Sequence, residues 1–284
     1  MGEVNQLKEQ LQAIKDNDWK LPEGMDIYAL ALKAIDNIGA TDPVLRDGLI
    51  LEYLIILITQ KLLNKEQIKV LLNSCLSEKH LFYKLGETED DSVFNRTFSL
   101  LVVDVILYYH INLGEELLTK DEFSKVFGEV VKYVRTEKDV RGYVKDKGWA
   151  HAMAHSGDAL GSLALCNEIN HYQLQEILEV IKGKMNITYY VYKNEEAERL
   201  TSAILNVIRR NILGEEEIIN WIKSFDKLEM PKDLPYSQYW KENIKNLLRS
   251  LYFRLKFKKE AEIFIEALEE VQNNINSIYN NLEA

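Results

Sequence analysis

Thr41-Asp-Pro-Val-Leu-Arg-Asp-Gly-Leu-Ile-Leu-Glu-Tyr-Leu-Ile-Ile-Leu-Ile-Thr59 is the stretch whose reading decides the fold. Asp42 can cap a helix, and Pro43 suits the first helical position, where no amide hydrogen is needed. Leu45, Leu49, Tyr53 and Ile56 then recur at helical spacing, and the pattern runs to about residue 63. Positions 49–59 are strongly apolar but only eleven long, and they contain Glu52. A membrane span needs about 20 apolar residues. The segment therefore predicts a helix buried in a protein core.

The same punctuation recurs outward in both directions. Leu7, Leu11 and Ile14 space a helix near 4–17, and another covers 25–38 and stops by Gly39. Asn64 can cap a helix near 65–76. A break at Gly86-Glu-Thr-Glu-Asp-Asp precedes a long apolar helix over 91–112. Thr119-Lys-Asp-Glu122 fits a capping box, in which each end residue's side chain binds the other's backbone amide. Later helices are expected near 148–167, 171–185, 195–212, 215–225, 237–255 and 258–280, with Asn170, Asn194 and Ser237 as caps. Ile187-Thr-Tyr-Tyr-Val-Tyr192 has strand propensity. It has no partner strand, so it reads as an extended connection that packs its tyrosines.

The chain of 284 residues holds 13 Gly and 4 Pro, few breakers for its length. Together these features predict an all-α protein. It would be a single helical domain over 1–284, built of stacked antiparallel helical hairpins. Helix pairs recur about every 40 residues, as in HEAT- or armadillo-like arrays, with a compact helical bundle as the competing architecture. A net charge of −10 argues against a nucleic-acid partner, which would call for a basic stripe. The N-terminus lacks an apolar signal core, and no membrane span is expected. Cys75 and Cys166 have no metal spacing, and reduced thiols in a cytoplasmic protein are the default reading. Lys256-Phe-Lys-Lys259 reads as a solvated basic face.

One segment is chemically dense. It runs Glu137-Lys-Asp-Val-Arg-Gly-Tyr-Val-Lys-Asp-Lys-Gly-Trp-Ala-His-Ala-Met-Ala-His-Ser-Gly-Asp-Ala-Leu-Gly161. If 149–167 is helical, His151, His155 and Asp158 fall at i, i+4 and i+7, within about 60° around the axis. Two imidazoles one turn apart with a carboxylate are a candidate metal set, completed by Asp139 or Glu137 from the preceding loop. The His-Glu-x-x-His pattern, with its built-in general base, is absent. The competing reading is a hydrogen-bonded pair at a helix interface. Asp139 and Arg141 could present charge to a polar ligand, or Arg141 could simply pair with a carboxylate. Trp149 is expected to be a core anchor rather than a stacking platform. Ala150, Ala154, Gly157 and Gly161 form a small-residue stripe that suits close helix packing. Arg46 and Arg96, set in apolar helices, predict buried arginine pairs. The acidic start of Glu195-Glu-Ala-Glu-Arg-Leu200 suits a helix dipole and could also face the histidine helix.

Glu137-Lys-Asp139, Arg141-Gly-Tyr143, Gly148-Trp-Ala-His-Ala152, Ala154-His155 and Asp158 together resemble a bacterial family designated domain of unknown function 2785. Leu45-Arg-Asp47, Asn95-Arg-Thr-Phe98 and Glu196…Glu198-Arg-Leu200 are similar to it as well. The resemblance implies a soluble bacterial all-helical protein over most of the chain. It implies no activity, cofactor or catalytic residue.

The reading that follows is a cytoplasmic, helical-repeat-like module whose concave face binds a protein or small-molecule ligand. Its ligand-binding candidates are Asp139, Arg141, Trp149, His151, His155 and Asp158. The alternative is an enzyme, in one form metal-dependent, centred on His151, His155 and Asp158. Catalytic residues and cofactors are unassigned by the sequence.

Overall fold

A computed structural model describes residues 2–112, 116–258 and 262–277. The fold is all-α: helix makes up 68% of the described residues, against about a third in an average globular protein.

The helices begin where the chain supplies caps. Asp42 accepts from the amides of Val44 and Leu45 as Pro43 opens α3 (Pro43–Leu45). Helix α5 (Lys65–Cys75) starts on a reciprocal Asn64/Gln67 box, and α7 (Lys120–Thr136) on the expected Thr119/Glu122 box. Asn170 and Gln173 do the same for α9 (His171–Met185). Two caps differ from expectation. Glu195, not Asn194, precedes α10 (Glu196–Arg209), and Pro235, not Ser237, precedes α12 (Tyr236–Lys256). At the first of these, the Glu196 carboxylate turns back to accept from the Asn194 amide at 2.6 Å.

The chain divides into two compact units, 1–159 with 166–168, and 160–165 with 169–284. In the first, α1 (Gly2–Asp16) packs on a π-helical stretch, Arg46–Leu51, that continues α3 into α4 (Glu52–Thr59). The expected helix from Pro43 is thus continuous through residue 59, with a wider turn in its middle. Helix α2 (Ile27–Asp36) packs on α4 and α5. The centre is α6 (Ser92–Asn112), which packs on α4 and α5 and buries Phe94, Phe98, Leu100, Val103, Ile106 and Leu107. By length and composition α6 could cross a membrane, but 72% of its apolar window is buried against protein. That makes it a core helix.

In the second unit α10 packs on α12 and α9, and α13 (Glu262–Ile275) packs on α12 and α11 (Glu215–Lys223). The tyrosine-rich run 187–192 is an extended connection, as expected. Buried Asn243 of α12 satisfies it: Oδ1 accepts from the Tyr192 amide at 2.9 Å, and Nδ2 donates to the Tyr190 carbonyl at 2.8 Å. The Tyr192 hydroxyl reaches the Lys184 carbonyl. The last expected helix, near 258–280, corresponds to α13, and its positions 259–261 and 278–280 lie outside the described residues, as does Lys259 of the basic run.

One element was not expected. Tyr143–Val144 and Gly148–Trp149 pair as a two-stranded antiparallel hairpin, β1 and β2. Asp146 and Gly148 take positive φ of 64° and 81° in its turn, a conformation short polar residues and glycine tolerate best. A Cβ on Gly148 would also lie 3.1 Å from both Arg46 and Pro43. Helix α8 therefore starts late, spanning Ala152–Leu165 rather than 148–167. The propensity of Gly148-Trp149 was outweighed by the turn that precedes it.

Candidate functional site

The dense segment is held by two buried arginines of the helices in front of it. Arg96 and Glu137 are fully buried partners, with Nε to Oε2 at 2.6 Å and Nη2 to Oε1 at 3.0 Å. The other Arg96 donors reach the carbonyls of Tyr83, Lys84 and Glu87 and the Ser92 hydroxyl. Burial works against this cation, and Glu137 outweighs it, so the guanidinium titrates above its ordinary value. Glu137 Oε1 also accepts from the amides of Lys138 and Asp139. The pair ties α6, the loop at 83–87 and the exit of α7 into one rigid corner.

Arg46 is likewise fully buried. It donates to the carbonyls of Ala40 and Lys147 at 2.8 and 2.7 Å and pairs with Asp47 at 2.8 Å. Its guanidinium carbon sits 4.2 and 4.5 Å from the ring centres of Phe94 and Phe98. Burial lowers the Arg46 pKa and raises that of Asp47, since desolvation exceeds the pair's attraction at both ends. The Lys147 bond anchors the hairpin turn to the helical core.

Asp139 and Arg141, expected as ligand candidates, bind each other. Arg141 Nη2 meets Asp139 Oδ2 at 2.6 Å, and the hydrogen bonds of Asp139 raise the Arg141 pKa. Asp139 is 1% exposed and also accepts from the Glu89 amide, while Arg141 reaches the Asp90 carbonyl. They latch the 87–90 loop to the strand that follows.

The aromatic residues form a ladder from solvent to core. Tyr143 and Trp149 face each other across the hairpin, ring centres 5.2 Å apart and edge-on. Trp149 stacks on His151 at 4.5 Å and 19°. His151 meets His155 edge-on at 5.6 Å, and His155 meets Phe98 at 6.0 Å. Phe98 then carries the Arg46 cation. The outer two rings are 59% and 40% exposed, His151 is half-buried, and His155 is 8% exposed. Trp149 is therefore an exposed stacking platform, not the expected core anchor, because the hairpin carries it off the helix.

His151 is not on the helix either. It stands just before α8 with φ of 53°, a left-handed conformation that only a few per cent of non-glycine residues adopt, histidine more often than most. Its amide donates to the Arg141 carbonyl at 3.0 Å, so it closes the hairpin ladder, and its own carbonyl accepts from the His155 amide as α8 begins. The cap position still brings the two rings together. His155 Nδ1 lies 3.5 Å from Asp158 Oδ2. The three residues thus meet beside the 137–148 loop, by a route other than one helical face.

Among the described residues, His110, Cys166 and Glu168 bring three potential metal-ligand atoms within 4.8 Å of one another, a cluster sequence spacing did not reveal. Their hydrogen bonding favours a different role. His110 Nδ1 accepts from the amides of Leu117 and Leu118 at 3.3 and 3.4 Å, so Nε2 carries the proton and donates it to Glu168 at 3.1 Å. A metal on Nε2 would need a lone pair there, which moves the proton to Nδ1, against two amide donors. The cluster fits a staple between the end of α6 and the turn after α8.

A family model described as protein of unknown function (DUF2785) matches residues 81–253, more than half of the chain. The chain belongs to this family. The DUF2785 match contains the Arg96–Glu137 pair, the Asp139–Arg141 latch and the whole ladder from Phe98 to Tyr143. It leaves out the Leu45-Arg-Asp47 element, though Arg46 touches matched residues on both sides. No curated protein and no solved structure matches the chain.

Proposed function

We propose that this chain is a cytoplasmic bacterial binding module, a single domain over 1–284 of HEAT- or armadillo-like helical pairs, whose ligand docks on the 137–158 segment. The observation that carries the reading is the exposed Trp149 ring stacked on a histidine held at positive φ. Such backbone strain costs about 1–3 kcal/mol and persists where the surroundings over-determine it, most often at ligand sites. Here the surroundings are the Arg96–Glu137 corner, the Asp139–Arg141 latch and the Arg46–Lys147 bond, which fix both ends of the hairpin. A flat ring edge backed by a rigid floor suits a ligand with a planar or ring-faced group, gripped by Tyr143 and Trp149 and hydrogen-bonded by His151.

The test is calorimetric titration of planar heteroaromatic and sugar fragments, followed in parallel by tryptophan fluorescence. Binding that quenches fluorescence in the parent and disappears in Trp149→Ala supports the reading. Fragments that bind equally well to that variant would sink it.

The second reading is an enzyme centred on His151, His155 and Asp158, favoured by the 3.5 Å approach of Asp158 to His155. In its metal-dependent form it needs neutral imidazoles, so zinc or manganese affinity should fall as pH drops through about 6.5. Metal titration of chelator-treated protein against a His151→Ala/His155→Ala double variant decides between the two.

A further inference from the structure

A second polar site lies apart from the hairpin, in a groove of the first unit of about 890 Å³. Its wall includes Asp36, Lys79, His80, Tyr83 and Asn95. His80 is only 5% exposed, so its orientation is set by protein. Its Nδ1 meets Asn95 Oδ1 at 3.2 Å, and Asn95 Nδ2 donates to the Lys79 carbonyl at 2.7 Å. That second bond fixes which end of the Asn95 amide is oxygen, and so places the imidazole proton on Nδ1. Asn95 is itself wedged, since a Cβ on Gly39 would fall 2.5 Å from its own Cβ. Nε2 is left as a bare acceptor. It makes no hydrogen bond among the described residues and is not sealed from solvent.

Two charges flank it. Burial first lowers the His80 pKa, Asn95 and Asp36 raise it, and Lys79 lowers it, so both side chains act on the ring. Elsewhere along the groove the charges are spent on each other, in Lys8–Asp42, Lys84–Asp90 and Lys147–Asp91. Neither the Asp36 carboxylate nor the Lys79 ammonium makes a hydrogen bond or ion pair among the described residues, and both residues are exposed.

We propose that this groove binds a small zwitterion of the amino-acid class, its ammonium held between His80 Nε2 and Asp36 and its carboxylate on Lys79. A preset neutral acceptor, a free anion and a free cation side by side are the complement of that ligand. A buried acceptor held by a two-bond chain also binds without ordering cost of its own.

The experiment is calorimetric titration of the full chain with each of the twenty common L-amino acids, then with the N-acetyl and methyl-ester forms of any that bind. At least one free amino acid should bind, and each blocked form should bind at least tenfold more weakly. Asp36→Asn and Lys79→Gln should each weaken binding at least tenfold. These variants sit at exposed side chains, so folding does not confound them as it would for His80→Ala. No heat from any of the twenty, blocked forms that bind as well as free ones, or both variants binding like the parent would each overturn the proposal.

Discussion

The Arg46 guanidinium lies against the face of Phe98, 4.5 Å from its centre, and the edge-on partner of that same ring is His155 at 6.0 Å. A buried cation thus supports the inner end of the aromatic ladder while its Nη2 holds the hairpin turn through Lys147. Arg46→Lys keeps the charge but loses the planar fork that serves two carbonyls and two rings. A loss of about 2–4 kcal/mol in urea denaturation is expected, somewhat below the cost of removing a buried charge partner outright. A change below about 0.5 kcal/mol would show that the stack is incidental.

Removing one member of the fully buried Arg96–Glu137 pair should cost more. Arg96→Ala or Glu137→Ala leaves an uncompensated charge inside the protein, and about 3–5 kcal/mol is expected for each. The double variant should cost clearly less than the two singles added. A double-mutant cycle reads that coupling directly, and strict additivity would contradict the geometry.

Two helical glycines should respond in opposite directions. A Cβ on Gly161 would meet Asn206 Nδ2 at 3.3 Å and Ala203 Cα at 3.5 Å, whereas one on Gly128 meets nothing within 4 Å. Gly161→Leu should destabilise by about 1–3 kcal/mol through overpacking. Gly128→Ala should stabilise by up to about 1 kcal/mol, because alanine loses less backbone freedom in a helix. Thermal midpoints of the two variants check both signs at once.

At low pH the Glu122 carboxyl is one group that should matter. Lys69 first, then the Thr119 amide, holds it down to about 2, against an ordinary value of 4.5. Its stabilisation is therefore complete above about 4.5 and is lost as pH falls from there towards about 2. The pair is solvent-exposed, so the loss should not exceed about 1 kcal/mol. Glu122→Gln should flatten the stability profile in that window by the same amount.

The His80 imidazole works in a neighbouring window. Burial lowers its pKa below the ordinary 6.5, so unfolding takes up a proton once the pH drops under 6.5. Stability should decline as pH falls through that region, and His80→Gln should remove the decline. Chemical denaturation at pH 7.5 and 5.5 compares the slopes.

The single-domain reading makes its own demand. Helix α8 contributes residues to both compact units, so partial unfolding would have to break a continuous helix. One cooperative transition, coincident by circular dichroism and tryptophan fluorescence, is expected. Two separate transitions would replace one domain with two.

Much of the fold was legible in the chain. Apolar spacing located the helices to within a few residues. The Thr119, Asn64 and Asn170 caps were readable because a cap is a local exchange of hydrogen bonds over three residues. The buried states of Arg46 and Arg96 were legible as polar residues set in apolar helices. The candidate site was legible as a place and misread in detail. Trp149 and His151 looked helical because a helix follows at once, yet the turn at Asp146 and Gly148 folds them back as a hairpin.

By itself, the sequence determined the all-helical class, the order of the elements and the density of chemistry at 137–158. Those follow from near-neighbour spacing, capping and propensity, which act within a turn or two. Tertiary structure alone decided that Asp139 and Arg141 consume each other's charge, that Trp149 faces solvent, and that His80 and Asn95 meet in the wall of a groove. It also paired His110 with Glu168, 58 residues apart in the chain. Such contacts depend on which side chains arrive at one point after every helix has buried its apolar face, and no local pattern in the chain carries that geometry.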